Sequence, residues 1–93
     1  MIEVLVVLDI KELANQKEFE EYILKNGFEC AAPFAYTGMS ATPVFNTQAY
    51  TFEVFSKAFD AAGVEECRLI CQIGGYPPEA YLYKKEEFFT ELK

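Results

Sequence analysis

The stretch Cys30-Ala31-Ala32-Pro33-Phe34-Ala35-Tyr36-Thr37-Gly38-Met39-Ser40-Ala41-Thr42-Pro43-Val44-Phe45-Asn46-Thr47-Gln48-Ala49-Tyr50-Thr51-Phe52 contains no Asp, Glu, Lys or Arg. A membrane span needs about 20 predominantly apolar residues, and the Thr, Ser, Asn, Gln, Gly and Pro scattered through this run exclude one. Two strands joined by a turn fit it instead. The composition predicts one strand over 28–36, a turn at Thr37-Gly38-Met39-Ser40, and another strand over 43–50. Proline cannot donate to a strand ladder, so Pro33 and Pro43 belong near edges or strand starts and the hairpin lies at the periphery.

Upstream, Ile2 to Leu8 is a nearly continuous β-branched run, the pattern of a central strand, and it ends at Asp9. Asn15 and Glu18 have capping-box spacing. Phe19, Tyr22 and Ile23 then recur at helical intervals until Asn26-Gly27 supplies a stop. Downstream, Thr51 is placed to cap a second helix whose buried face carries Phe52, Phe55, Phe59 and Ala62. Glu53 and Lys57 pair outside, and Gly63 ends the helix. From Glu66 to Ile73 apolar and polar residues alternate, setting Cys67, Leu69, Cys71 and Ile73 on one core face. Gly74-Gly75-Tyr76-Pro77-Pro78 is a break. Beyond it, 80–83 reads as a short edge strand and 84–92 as a short helix with Phe88, Phe89 and Leu92 inward.

The order strand, helix, strand, strand, helix, strand predicts an α+β sandwich of the ferredoxin-like βαββαβ type. It has a four-stranded antiparallel sheet with two helices on one face and a short C-terminal strand and helix as a tail. All 93 residues form one domain, with 52% hydrophobic content and enough chain for a single core. The other sheet face needs a cover, and a second copy would supply it, so a homodimer is expected.

Eight basic residues stand against 15 acidic ones, a net charge of −7. That balance opposes broad binding to a phosphate backbone and suits a partner with a basic surface. Histidine is absent, which removes Ser-His-Asp and Cys-His catalysis, histidine metal sites and histidine pH switching. Cys30, Cys67 and Cys71 are an odd set without disulfide-dense spacing, and no secretory segment opens the chain, so packing thiols in a reducing cytoplasm are expected.

Asp9 follows a buried strand directly, a position where sites form, and two copies across a dimer axis could present oxygen ligands to a divalent ion. The blander role is capping a local turn. The run Val4-Leu5-Val6-Val7-Leu8-Asp9-Ile10, the helix ending in Asn26-Gly27-Phe28, and Lys84-Lys85-Glu86-Glu87-Phe88-Phe89 resemble small ferredoxin-fold endoribonucleases. These include CRISPR adaptation nucleases, VapD-type toxins and the GhoS-type antitoxin. The resemblance implies a symmetric dimer, Asp9 as the catalytic or metal-binding position, and Mg as the ion under that reading alone; otherwise no cofactor is expected.

Tyr36, Tyr50, Tyr76, Tyr81 and Tyr83 cluster around the uncharged stretch and the tail. Tyrosine gives large, rigid contact area, so these five are the candidate partner-binding residues, with semi-buried packing as the alternative. Gly74-Gly75 could border a small ligand, but neither a helix start nor a Lys follows as in a phosphate loop. The expectation is a small acidic interaction module that acts in an antitoxin-like or inhibitor-like way, without a membrane segment. A metal-dependent endoribonuclease centred on Asp9 is the alternative, and a small-ligand regulatory domain the second.

Overall fold

The computed structural model describes residues 1–92. The elements are β1 (Ile2–Asp9), α1 (Gln16–Lys25), β2 (Phe28–Ala32), β3 (Ala35–Ser40), α2 (Val44–Ala62), β4 (Glu66–Ile73), β5 (Glu79–Lys84) and β6 (Phe88–Glu91). They build a single antiparallel sheet in the order β2-β3-β1-β4-β5-β6. The β-branched run of β1 sits in the middle, between β3 and β4, although only its Val4, Val6 and Leu8 side is covered.

Alternation sorts the side chains by face. Val4, Val6 and Leu8 of β1, Tyr36 of β3, Cys67, Leu69, Cys71 and Ile73 of β4, and Tyr81 and Tyr83 of β5 point to the covered side. There α1 contributes Phe19 and Ile23, and α2 contributes Val54, Phe55, Ala58, Phe59 and Ala62. Aromatic rings run through this core. Phe55 lies with its centroid 5.1 Å from Phe28, 5.9 Å from Phe19 and 6.0 Å from Tyr36, and Phe59 lies 4.6 Å from Tyr83. The opposite face is open and carries Leu5, Val7, Ile70 and Leu82 among Glu3, Asp9, Glu66, Arg68 and Lys84.

The four-stranded ferredoxin-like sheet expected from the sequence is overturned, because the sheet has six strands. β5 extends it beyond β4, and 88–91 add a sixth strand where a terminal helix was expected. Lys85, Glu86 and Glu87 form a three-residue hairpin turn, closed by the Glu87 amide donating to the Lys84 carbonyl at 3.0 Å. Phe88 follows in the left-handed region at φ 65°, the position at which such turns usually place glycine. The strain is offset by Phe89, which stacks on Phe52 at 4.3 Å and packs on Tyr83 at 5.2 Å. A helix here would swing Phe89 off that surface.

The uncharged stretch also folds differently from its composition. The β2–β3 turn falls at Pro33-Phe34, the residues 37–40 expected to turn continue β3, and 44–50 are helical rather than a strand. β2 is the edge strand, whereas β3 is internal, so only half of the hairpin is peripheral. Val44, Phe45 and Tyr50 favour strands, but Thr47, Thr51, Val54, Phe55, Ala58, Phe59 and Ala62 make one continuous buried helical stripe, and tertiary packing overrides the local preference.

Thr51 is accordingly not a cap. It lies in mid-helix and its hydroxyl donates to the Thr47 carbonyl at 2.8 Å. The helix starts after Pro43, where the hydroxyls of Ser40, Thr42 and Thr47 lie 2.7–3.0 Å apart and satisfy one another. Its end is as expected: Gly63 adopts φ 78°, and the Val64 amide donates back to the Phe59 carbonyl at 2.9 Å. Asn15 makes no side-chain cap on α1, and its amide donates instead to the Ala62 carbonyl at 3.1 Å, tying the two helices.

Candidate functional site

The five tyrosines do not assemble into one exposed patch. Tyr36 is wholly buried, and its hydroxyl donates to the Glu20 carboxylate at 2.8 Å, tying β3 to α1. Burial first, and that hydrogen bond second, push its proton affinity well above that of an ordinary phenol. Tyr83 is buried against Phe59. Tyr50 is half exposed, and its hydroxyl donates to the Asn26 carbonyl at 3.0 Å, at the C-terminal end of α1. Tyr76, 61% exposed, and Tyr81, buried, come together with six other residues in a cleft.

The cleft opens where the first turns of α2 meet the ends of β4 and β5. Its walls are Val44 and Gln48 of α2, Cys71 and Ile73 of β4, Tyr76 and Pro77 of the connecting loop, and Glu79 and Tyr81 of β5. About 130 Å³ is open to it. Alternation along β5 puts Glu79 on the same face as Tyr81 and Tyr83, so a carboxylate occupies a position whose neighbours are core. Glu79 is tolerated there because the helical cover ends short of it and leaves its side chain exposed.

A chain of hydrogen bonds holds the polar end of the cleft. Gln48 Nε2 donates to the Tyr81 hydroxyl at 2.7 Å, and that hydroxyl donates to Glu79 Oε2 at 2.9 Å. A side-chain hydrogen bond shared with Glu91, then the one from Tyr81, keep the Glu79 carboxyl below its ordinary value. Burial and then the Glu79 bond push the Tyr81 hydroxyl well up. The loop is equally fixed: the Gly74 amide donates to the Glu3 carbonyl at 2.8 Å, the Tyr76 amide to Ile73 at 3.2 Å, and Gln72 Nε2 to the Tyr76 carbonyl at 3.2 Å. Two prolines then stiffen the approach to β5. Phe45, adjacent to Val44 on the first turn of α2, is 80% exposed.

Residue-type reasoning missed Glu79, Gln48 and Phe45. The signal for Glu79 was present, since Glu79, Tyr81 and Tyr83 share a two-residue period, but a strand begun at Ala80 left it outside. Gln48 joins Val44 on the cleft, and Phe45 is turned out to solvent, only once 44–50 are helical.

Asp9 lies elsewhere, exposed at the end of β1, with Arg68 as its cross-strand partner. Its charge adds to burial in raising the Cys67 thiol to about 11. Among the described residues no three His, Cys, Asp or Glu side chains converge as a metal-holding group. Cys30 is exposed, Cys67 and Cys71 are buried, and all three are free thiols. Burial, with a smaller contribution from Glu79, raises Cys71 to about 11. No helix among the described residues is long and apolar enough to cross a membrane. Comparison with protein-family models, with curated proteins and with solved structures returns no match.

Proposed function

We propose that the protein is a small acidic binding module that seizes a basic segment of a protein partner, in an inhibitor-like or antitoxin-like way. The observation that carries this reading is a preorganised cleft that holds the Glu79 carboxylate and the exposed ring of Tyr76, with a further exposed aromatic, Phe45, on the same first turn of α2 as the lining residue Val44. Exposed aromatics flanking a pocket are the usual anchors of a protein interface, and the net charge of −7 would speed the approach of a basic partner. The proposed setting is the reducing cytoplasm, a reading that the three free cysteines support.

The open sheet face supports a second element of the proposal, a homodimer in which Leu5, Val7, Ile70 and Leu82 of two copies meet. Ile70, 47% exposed, is central among them. RNA cleavage at Asp9 is not part of the proposal, because Arg68 rather than further carboxylates faces that residue.

The test is a fluorescence-anisotropy titration with three labelled 12-residue peptides, one rich in Arg and Lys, one neutral and one rich in Glu. Binding of the basic peptide alone, weakened at least tenfold by Phe45→Ala with Tyr76→Ala, is the expected result. Equal binding of all three, or an unaffected double variant, would overturn the reading.

A further inference from the structure

We infer that the cleft between α2 and β5 is a receptor for the guanidinium end of an arginine side chain, with Glu79 as the ion-pairing group. The inference rests on the basic-partner reading above and specifies the side chain that the partner inserts. Three features of the cleft converge on this occupant.

The first is an exposed carboxylate on a strand face whose next positions are core. Glu79 and Glu91 lie on the covered face of the sheet: Glu79 is the cross-strand partner of Cys71, and Glu91 that of Tyr81. Of the two, Glu79 lines the cleft, and Glu91 stands on the neighbouring strand, where it helps keep the Glu79 carboxyl below its ordinary value. A cation bound there would meet the Glu79 carboxylate, and a planar fork of N–H donors can bridge carboxylate oxygens in a way that a compact ammonium cannot.

The second is shape. The remaining walls are aliphatic and aromatic: Val44 and Ile73 along the depth, Tyr76 and Pro77 at the mouth. An arginine side chain has an apolar stem and a flat, weakly hydrated head that packs on rings, and this sequence of surfaces matches it from mouth to end. The volume, about 130 Å³, accommodates a side chain and not a large cofactor.

The third is preorganisation. Tyr81 donates to Glu79 Oε2 and is itself held by Gln48, so the carboxylate is oriented before any ligand arrives. A carboxylate offers about four acceptor sites, so these bonds leave room for an incoming donor. The loop that carries Tyr76 is tied to β1 and to Gln72, so little ordering is needed on binding.

The experiment is a titration of the full chain with arginine amide, followed by two-dimensional amide NMR, with citrulline amide, which keeps the α-ammonium but has an uncharged isosteric side chain, and lysine amide as the second side-chain cation. Saturable shifts are expected at Gln48, Tyr76, Glu79 and Tyr81, with a millimolar Kd for arginine amide, weaker binding of lysine amide and no saturation by citrulline amide. Glu79→Gln should raise the Kd at least tenfold. Val44→Phe, which fills the cleft without altering charge, should do the same, and Asp9→Asn should leave the Kd unchanged; dispersed spectra establish that each variant is folded. Citrulline amide binding as well as arginine amide, an undiminished affinity in both cleft variants, or an equal loss in Asp9→Asn would overturn the inference. If the basic peptide still binds through Phe45 and Tyr76 while arginine amide ignores the cleft, the arginine receptor is refuted and the binding module stands. If the basic peptide fails as well, both are refuted.

Discussion

Replacing Phe55 by alanine removes a ring that is 1% exposed and lies with its centroid 5.1–6.2 Å from those of Phe28, Phe19, Tyr36 and Phe59. Truncating a buried phenylalanine costs about 3–5 kcal/mol, and the outcome within that range depends on how far the walls collapse. Here they are restrained. Tyr36 is tied to Glu20, and Phe28 already crowds Gly38, where an added Cβ would come within 2.9 Å of its ring. The upper half of the range follows, about 4–5 kcal/mol. Set against the ~5–14 kcal/mol typical of a domain of this length, that is a large fraction of the total. At ~4–8 °C per kcal/mol for a small domain, the melting temperature should fall by roughly 16–40 °C. Urea denaturation followed by circular dichroism at 222 nm measures the change, with Phe45→Ala as the control. Phe45 sits on the same helix but is 80% exposed, so its truncation should change stability by no more than about 0.5 kcal/mol. A loss below about 1 kcal/mol for Phe55→Ala, or a larger loss for Phe45→Ala, would refute the assignment of the α2 faces.

Three further expectations are open to direct measurement. In native protein a thiol-specific chromogenic reagent at pH 8 should label Cys30 alone within minutes, while Cys67 and Cys71, buried and raised to about 11, should react only on unfolding; three fast equivalents would contradict their burial. Stability should fall at high pH, because Cys67, Cys71, Tyr36 and Tyr81 all hold their protons more tightly folded than unfolded. Their contribution is fully present below the unfolded values, near pH 8.5 for a thiol and 10 for a phenol, and is lost as pH rises beyond them, at up to about 1.4 kcal/mol per pH unit per group. A melting temperature that stays flat from pH 8 to 11 would show that these groups are not held as described. Finally, Ile70→Asp should convert the proposed dimer to a 10.6 kDa monomer in light scattering, and an unchanged mass for both proteins would remove the open face as the interface.

The readable parts of the sequence were those in which local pattern and tertiary role agree. β1 and β4 lie where the β-branched run and the alternation of Cys67, Leu69, Cys71 and Ile73 set them, and α1 follows its Phe19–Ile23 periodicity. The parts that misled were those in which local preference and packing conflict. Val44 to Tyr50 has strand composition, yet it extends a helical stripe through Thr47 and Thr51 that becomes visible only from the Phe55 end. Lys84 to Leu92 has helical composition, yet Phe89 finds its partner, Phe52, in the sheet-covering helix. The site suffered the same way, since Tyr36 and Tyr83 serve the core and the cleft needs Gln48 on a helix to orient Tyr81.

The central place of β1 also dictates the timing of assembly. Its neighbours β3 and β4 lie on either side in space but far along the chain, and Val4 meets Ile73 across a separation of roughly seventy residues. The β2–β3 hairpin and the β4–β5–β6 meander are local in sequence, and within the sheet they are joined only through β1. Closing so long a loop costs chain entropy before any ladder contact repays it. Capture of β1 is therefore expected to be part of the folding nucleus, so that substitutions in Val4, Val6 or Leu8 should slow refolding more than equally destabilising ones in β6.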